Sequence, residues 1–284
     1  MRRTTWLAFL LLYIFFGTTA LAEMLSVQKH GFVGQYYPPS SESGTQAVIV
    51  LGGAEGGIPT KLAEQVAALG YPTLAVAYFK ENGLPGELEK IPLAYFDQAK
   101  DWLSKKLPVQ SEHITLAGWS KGAELALLLA SRDTTYNRVV AIAPSSVIWA
   151  GILNDWQKVP ASSWTAEGAP LPHVAFNPTG PVSGLRDLYT QSLNNRSDHD
   201  AATIAVDNIK GQLFLFSGGQ DEVWPASPMS ESICNSVKST DAVSCIHYTY
   251  PQMGHLLDYT FLQSGTALHA RFSDSLAGDQ KNVR

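Results

Sequence analysis

Residues 47–51 (AVIVL) are apolar without interruption, the look of a short strand buried on both faces of a sheet. Similar runs recur over residues 72–77, 113–118, 139–143 and 213–217, and a more mixed run at 246–250 reads as one more strand. Between them apolar residues fall at helical intervals over 59–69, which ends at Gly70, over 87–103 and on to Leu107 despite Pro92, and over 121–130. Residues 30–37 alternate partly and stop at Pro38-Pro39, which suits an edge strand. Strand and helix thus take turns, which predicts a mostly parallel central sheet flanked by helices on both faces.

The rhythm breaks between Pro144 and Lys210, where Pro160, Pro170, Pro172, Pro178 and Pro181 mingle with Trp149, Trp156 and Trp164. A plain crossover does not need that length. Residues 145–210 are therefore expected to form a cap-like insertion over the carboxyl edge of the sheet, where open α/β sheets bind ligands; the alternative is an irregular surface excursion with one helix near 185–192. Residues 265–284 hold one weak helix and a polar tail, so a terminal helix is expected to be short or missing.

Composition narrows the class. At 45% hydrophobic residues and 284 positions the chain can bury one sizeable core, so a single domain is expected. The formal charge of −5 and 16% charged residues offer no basic field for nucleic acid. Arg2 and Arg3, an apolar run over 6–16 and Ala20-Leu21-Ala22 read as a signal peptide over 1–22, cleaved before Glu23. The run is shorter than the ~20 residues that cross a bilayer. A secreted or periplasmic protein is expected, without a stable transmembrane segment after processing and with its catalytic domain over 23–284. Cys234 and Cys245, eleven positions apart, could close a disulfide in such a compartment; two separate thiols are the alternative.

The chemistry centres on Gly118-Trp119-Ser120-Lys121-Gly122, a G-x-S-x-G between a buried strand and an apolar helix. Glycines on either side remove side chains that would collide in so tight a turn, and the turn lifts the serine above the sheet edge. Serine needs a base, and the base an orienting carboxylate. Asp221 follows the strand at 213–217 within GGQD, and His255 follows the strand at 246–250 within PQMGH, in the order serine, acid, histidine. That order and placement specify the α/β-hydrolase fold. His173, His199, His247 and His269 compete for the base, and Glu222, Asp198 and Asp200 for the acid. Asp258 reads as a loop cap or surface charge. Oxyanion donors are expected from the backbone amide of Lys121 and from that of Gly53 or Ala54 in the glycine run 52–57, which lacks phosphate-loop spacing. The Lys121 side chain is expected to point away from the oxyanion, or to meet an anionic substrate group, and Glu55 to border the pocket or pair at its mouth. No metal or organic cofactor is implied.

The stretches VIVLGGAEGGIP, LAVAYFKENGLPGELEKIPLAYFDQAKDWL, ITLAGWSKGAELALLLA, LFLFSGGQDEVWPASPMSESIC and YPQMGHLLDYTF together resemble a known family. It is the carboxyl-terminal catalytic domain of acyl-CoA thioesterases and bile acid-CoA:amino acid N-acyltransferases (BAAT), related to dienelactone hydrolases. The resemblance implies Ser120 as nucleophile, Asp221 and His255 as acid and base, and Trp224 packed beside the acid loop. Where the amino acid transferases of that family carry a cysteine, serine implies water as acceptor. Eukaryotic members carry an amino-terminal β-sandwich, for which residues 23–46 are too few. The expectation is a serine hydrolase of a small or lipid-like acyl thioester or ester. The export reading favours instead an extracytoplasmic carboxylesterase acting on a non-CoA ester. A peptidase on the same fold and a catalytically silent binding protein remain as other classes, and oligomeric state is unspecified.

Overall fold

The computed structural model describes residues 21–39, 46–107, 113–196 and 201–278. Nearly all of the expected leader lies outside them, as do Asp198, His199 and Asp200. In chain order the elements are β1 (Glu23–Leu25), α1 (Val27–His30), β2 (Val33–Tyr37), β3 (Ala47–Leu51), α2 (Thr60–Ala68), β4 (Thr73–Ala77), β5 (Ile91–Pro92), α3 (Ala94–Lys106), β6 (Ile114–Trp119), α4 (Lys121–Ala130), β7 (Tyr136–Ile142), β8 (Trp164–Ala166), β9 (Ala169–Pro170), α5 (Leu185–Asn194), β10 (Gly211–Gly218), α6 (Ala226–Val237), β11 (Val243–Tyr250) and α7 (Ala267–Ala277).

Eight strands form one sheet in the order β1-β2-β4-β3-β6-β7-β10-β11. β2 pairs antiparallel with β1 and β4, and every other pairing in that sheet is parallel. Each central strand is buried on both faces, and alternate residues serve opposite layers. Ile49, Leu51, Leu116, Val139 and Leu215 join Phe96 and Leu103 of α3, Leu125 and Leu129 of α4 and Ile233 of α6. Val48, Val50, Ala117, Val140, Phe214 and Phe216 join Leu62 and Val66 of α2 and Phe272 and Leu276 of α7. This is why the runs read as continuous rather than alternating.

One expectation is corrected. The helix foreseen from residue 87 begins only at Ala94. Pro92 has no N–H, and the amides of Lys90 and Ile91 donate to the carbonyls of Ser162 and Ser163, so β5 joins a small sheet with β8 and β9 instead. Helix α6, which the apolar spacing did not predict, buries Ala226, Met229, Ser230, Ile233 and Val237 along one face. The terminal helix is short, one of the two outcomes expected: α7 runs 11 residues and sinks Phe272 and Leu276 completely into the core.

Residues 145–210 meet the sheet at its carboxyl edge. Backbone bridges join Trp149 to Val174, Ala150 to Ser162 and Leu88 to Ile152. A third cluster of Ala143, Val147, Trp149, Val174, Tyr189, Trp224 and Met229 welds this segment to the loop after β10 and to α6. Cys234 of α6 and Cys245 of β11 are joined as a disulfide. Among the described residues no helix is long and apolar enough to cross a membrane.

Candidate active site

Ser120 closes β6 and opens α4 with φ 53° and ψ −121°, a strained backbone for a residue with a side chain. The neighbouring glycines make the turn sterically feasible. A Cβ on Gly118 would sit 2.4 Å from the Gly122 carbonyl oxygen, and one on Gly122 would sit 2.3 Å from the carbonyl oxygens of Leu51 and Gly52. The Ser120 amide donates to Ile142 O at 2.9 Å, fixing the turn to β7. The amino end of α4, with its unpaired amides and positive dipole end, therefore starts beside the serine hydroxyl.

β10 and β11 deliver the acid and histidine loops to the same edge. These loops press together: a Cβ on Gly218 would lie 2.2 Å from the Met253 and Gly254 carbonyl oxygens. His255 Nε2 stands 2.9 Å from Ser120 Oγ, and its Nδ1 stands 2.8 Å from Asp221 Oδ2. The other carboxylate oxygen of Asp221 accepts from the amides of Val223 and Trp224 at 2.9 and 3.1 Å, so its direction is fixed. Trp224 packs its indole edge-on to the His255 ring at 5.5 Å and donates Nε1–H to the Ala143 carbonyl. Glu222 accepts from the His255 amide at 3.2 Å.

The competing histidines are engaged elsewhere. His173 Nδ1 lies against Leu171 O, His247 Nε2 against Ser217 Oγ, and His269 Nδ1 against Phe261 O. Asp258 belongs to three consecutive residues, Leu257 to Tyr259, with φ of 51–55°. Of the two loop amides considered for an oxyanion, that of Gly53 is already donated to Glu55 Oε1 at 2.9 Å. Among the described residues Glu55 makes no salt bridge; its Oε1 also accepts from Trp119 Nε1 at 2.7 Å, tying the glycine run to the strand that carries the serine.

Lys121 turns inward. Its ammonium donates to both oxygens of Glu124 at 2.8 and 2.7 Å, and both side chains are at most 1% exposed. Burial pulls the Lys121 amine down and pushes the Glu124 carboxyl up, against their mutual attraction. Glu124 also accepts from Trp149 N and Trp164 Nε1. Beside Ser120 lies a cavity of about 670 Å³, walled mainly by Ile152, Phe176, Leu188, Tyr189, Val223 and Trp224, with Ala54 and Lys121 at its base.

Residues 91–271 match the family model described as BAAT / acyl-CoA thioester hydrolase C terminal. The chain belongs to this family. Acyl-coenzyme A amino acid N-acyltransferase 1 of Mus musculus is 25% identical over 232 residues, 82% of this chain and 53% of its own. Acyl-coenzyme A thioesterase 6 of Homo sapiens is 27% identical over 256 residues, 84% of this chain and 55% of its own. The chain spans about half the length of the curated relatives it matches. An esterase of Pyrococcus furiosus superposes with TM-score 0.57 at 15% identity, over 87% of this chain and 85% of its own. Dienelactone hydrolase of Anabaena variabilis gives 0.51 at 18%, over 91% and 97%. These likenesses establish the α/β-hydrolase fold.

The matched stretch of this BAAT / acyl-CoA thioester hydrolase domain takes in Ser120, Asp221 and His255. It also takes in residues that sequence reasoning missed. Arg186, at the start of α5, donates through Nη1 to the Asp221 carbonyl and through its amide to the Glu222 carbonyl, which bolts the insertion to the acid loop. Nothing in its sequence neighbourhood signals this. Glu124 did leave a signal: it is the one acid in KGAELALLLA, a helix buried at every position.

Proposed function

We propose that this domain hydrolyses acyl thioesters and esters through a triad of Ser120, His255 and Asp221. The observation that carries this reading is the unbroken relay of hydrogen-bond distances, 2.8 Å from acid to histidine and 2.9 Å from histidine to serine, beside an apolar cavity. His255 Nε2 takes the Ser120 proton as Oγ attacks the acyl carbonyl, and Asp221 holds the ring tautomer and balances the imidazolium. The carbonyl oxygen, now an anion, accepts from the amides of Lys121 and Ala54. As the tetrahedral adduct collapses, His255 returns the proton to the departing thiolate or alkoxide and an ester on Ser120 remains. Water, deprotonated by His255, attacks that ester; the carboxylic acid leaves and Oγ regains its proton.

A second reading has specific support. Disulfides such as Cys234–Cys245 persist mainly in oxidising compartments, which supports a reading in which residues 1–22 direct export. There the substrate is an oxygen ester rather than a CoA thioester. One experiment tests both: kcat/KM for a single acyl group presented as a CoA thioester and as a small oxygen ester, with Ser120→Ala as the blank. Loss of turnover by at least about 10³-fold in Ser120→Ala is expected. Unchanged turnover, or failure of a fluorophosphonate to label the wild type, defeats the triad. The ratio between the two leaving groups then chooses the reading.

A further inference from the structure

The mouth of the cavity is apolar and faces water. Trp156 is 85% exposed, Val159 89% and Leu185 55%. Trp156, Val159 and Leu185 also line the cavity itself, so the exposed rim and the apolar interior are one continuous surface. A tight turn presents Trp156: the amides of Gln157 and Lys158 donate to Asp155, and Lys158 Nζ lies 3.7 Å from the Asp155 carboxylate. That pair leaves the turn without net charge. Trp149 and Trp164 of the same insertion are wholly buried, so the outward position of Trp156 is not the rule for its neighbours.

We propose that this rim docks on the surface of a neutral or zwitterionic lipid aggregate, from which an acyl ester passes into the cavity. Three side chains offer on the order of a few hundred Å². A stable protein partner needs about 800 Å² per side, well beyond that. A tryptophan with an apolar body and one N–H donor suits a lipid–water boundary. A rim without net charge meets a zwitterionic surface with no electrostatic penalty, and gains nothing from an anionic one. Because rim and cavity are continuous, an acyl chain leaving the lipid would exchange one apolar environment for another. The docking stands without the chemistry; the assignment of a lipid-borne ester as substrate rests on the Ser120 reading.

The test is flotation with phosphatidylcholine vesicles, read on full-length mature protein in the Ser120→Ala background so that turnover plays no part. Vesicle partitioning is expected, together with quenching of tryptophan fluorescence by brominated phosphatidylcholine. Adding Trp156→Ser and Val159→Ser should weaken partitioning at least 10-fold and remove the quenching. In otherwise wild-type protein the same pair of changes should lower turnover of a vesicle-borne ester, relative to a dissolved short-chain ester, at least 10-fold. Should the double change unfold the protein, Trp156→Ser alone and the quenching of the unmutated protein still decide. No partitioning, equal partitioning by the rim variant, or a dimer that the rim variant turns into a monomer would each overturn the proposal. Retained turnover in Ser120→Ala with normal flotation would instead remove the triad and spare the docking.

Discussion

Removing the Glu124 carboxylate is expected to be among the most damaging single changes in this domain. Four donor contacts converge on it: two from the Lys121 ammonium, one from the Trp149 amide and one from the Trp164 indole. Glu124→Ala leaves all of them unpaired in a site that water does not reach. Breaking a buried ion pair from one side costs about 3–5 kcal/mol, and each orphaned N–H adds roughly 1–3 kcal/mol. That is comparable to the whole stability of an ordinary domain, about 5–15 kcal/mol, so Glu124→Ala is expected to fold poorly. Glu124→Gln isolates the charge, because the amide oxygen still serves both tryptophans and only the ammonium loses its counter-ion. Its cost is expected near 3 kcal/mol, limited by deprotonation of a Lys121 amine that burial already pulls down. Lys121→Met with Glu124→Gln should recover at least about 1 kcal/mol of that loss, since the uncompensated charge is gone. Urea unfolding of the wild type, Lys121→Met, Glu124→Gln and the double variant closes the cycle. Additive costs, each below about 1 kcal/mol, would refute the idea that this pair anchors the insertion to the nucleophile helix.

Reducing the Cys234–Cys245 bond frees a loop with a sequence separation of 11 and should cost about 3 kcal/mol, visible as a lower urea midpoint in dithiothreitol; Cys234→Ala with Cys245→Ala should match it. His247 is held below an ordinary histidine by burial, against a weaker pull from Glu231. Its neutral form therefore contributes stability that is fully present above pH 6.5 and is lost as pH falls through the lower folded-state value, so His247→Gln should flatten part of the stability loss between pH 7.5 and pH 5. Parallel melting curves for the two proteins would contradict this. Arg186→Met should lower kcat/KM about 10-fold by loosening the Asp221 loop, and should move the lower limb of the pH–rate profile, which a purely structural loss would leave in place.

The central sheet was legible because continuous apolar runs have one common explanation in a doubly covered sheet, and because glycine punctuates the strand ends. Ser120, Asp221 and His255 were legible for a related reason: each follows a strand closely, so the fold alone carries them to one edge. Elements were lost where local pattern and tertiary contact disagreed. Residues 87–93 look helical by spacing, but Lys90 with φ 55° and Pro92 commit the backbone to β5. Ser230 and Ser275 are fully buried in α6 and α7, so a hydrophobicity count undervalues both helices. The three tryptophans of the insertion are indistinguishable in sequence, yet two are core and one faces water. No periodicity encodes that difference, since it depends on which residues the Glu124 carboxylate and the Tyr189 ring gather around them.

The insertion does more than roof the cavity. From Trp149 an aromatic chain runs through Tyr189 at 4.7 Å and Trp224 at 5.6 Å to His255 at 5.5 Å, each contact edge-on. Ser145 Oγ accepts from the first ring's Nε1 at 2.8 Å, Glu124 holds the backbone amide of the same residue, and the Asp221 loop fixes the third ring, so the cavity wall and the candidate base share one rigid network. A substrate that displaces this wall must also disturb the imidazole, whereas one that fits leaves the 2.9 Å contact to Ser120 intact. Discrimination by acyl shape is then expected to appear in kcat as well as KM, because a poor fit misplaces the base that the reaction needs. The leaving group faces no such constraint from these residues. Lys121 is committed to Glu124, and Lys158 sits against Asp155, so neither cavity lysine is an unpaired cation for a phosphate. Under the proposed hydrolysis these contacts would let the cavity select the acyl half of a substrate, and would leave the choice between thiol and alcohol carriers to the compartment in which the domain meets them.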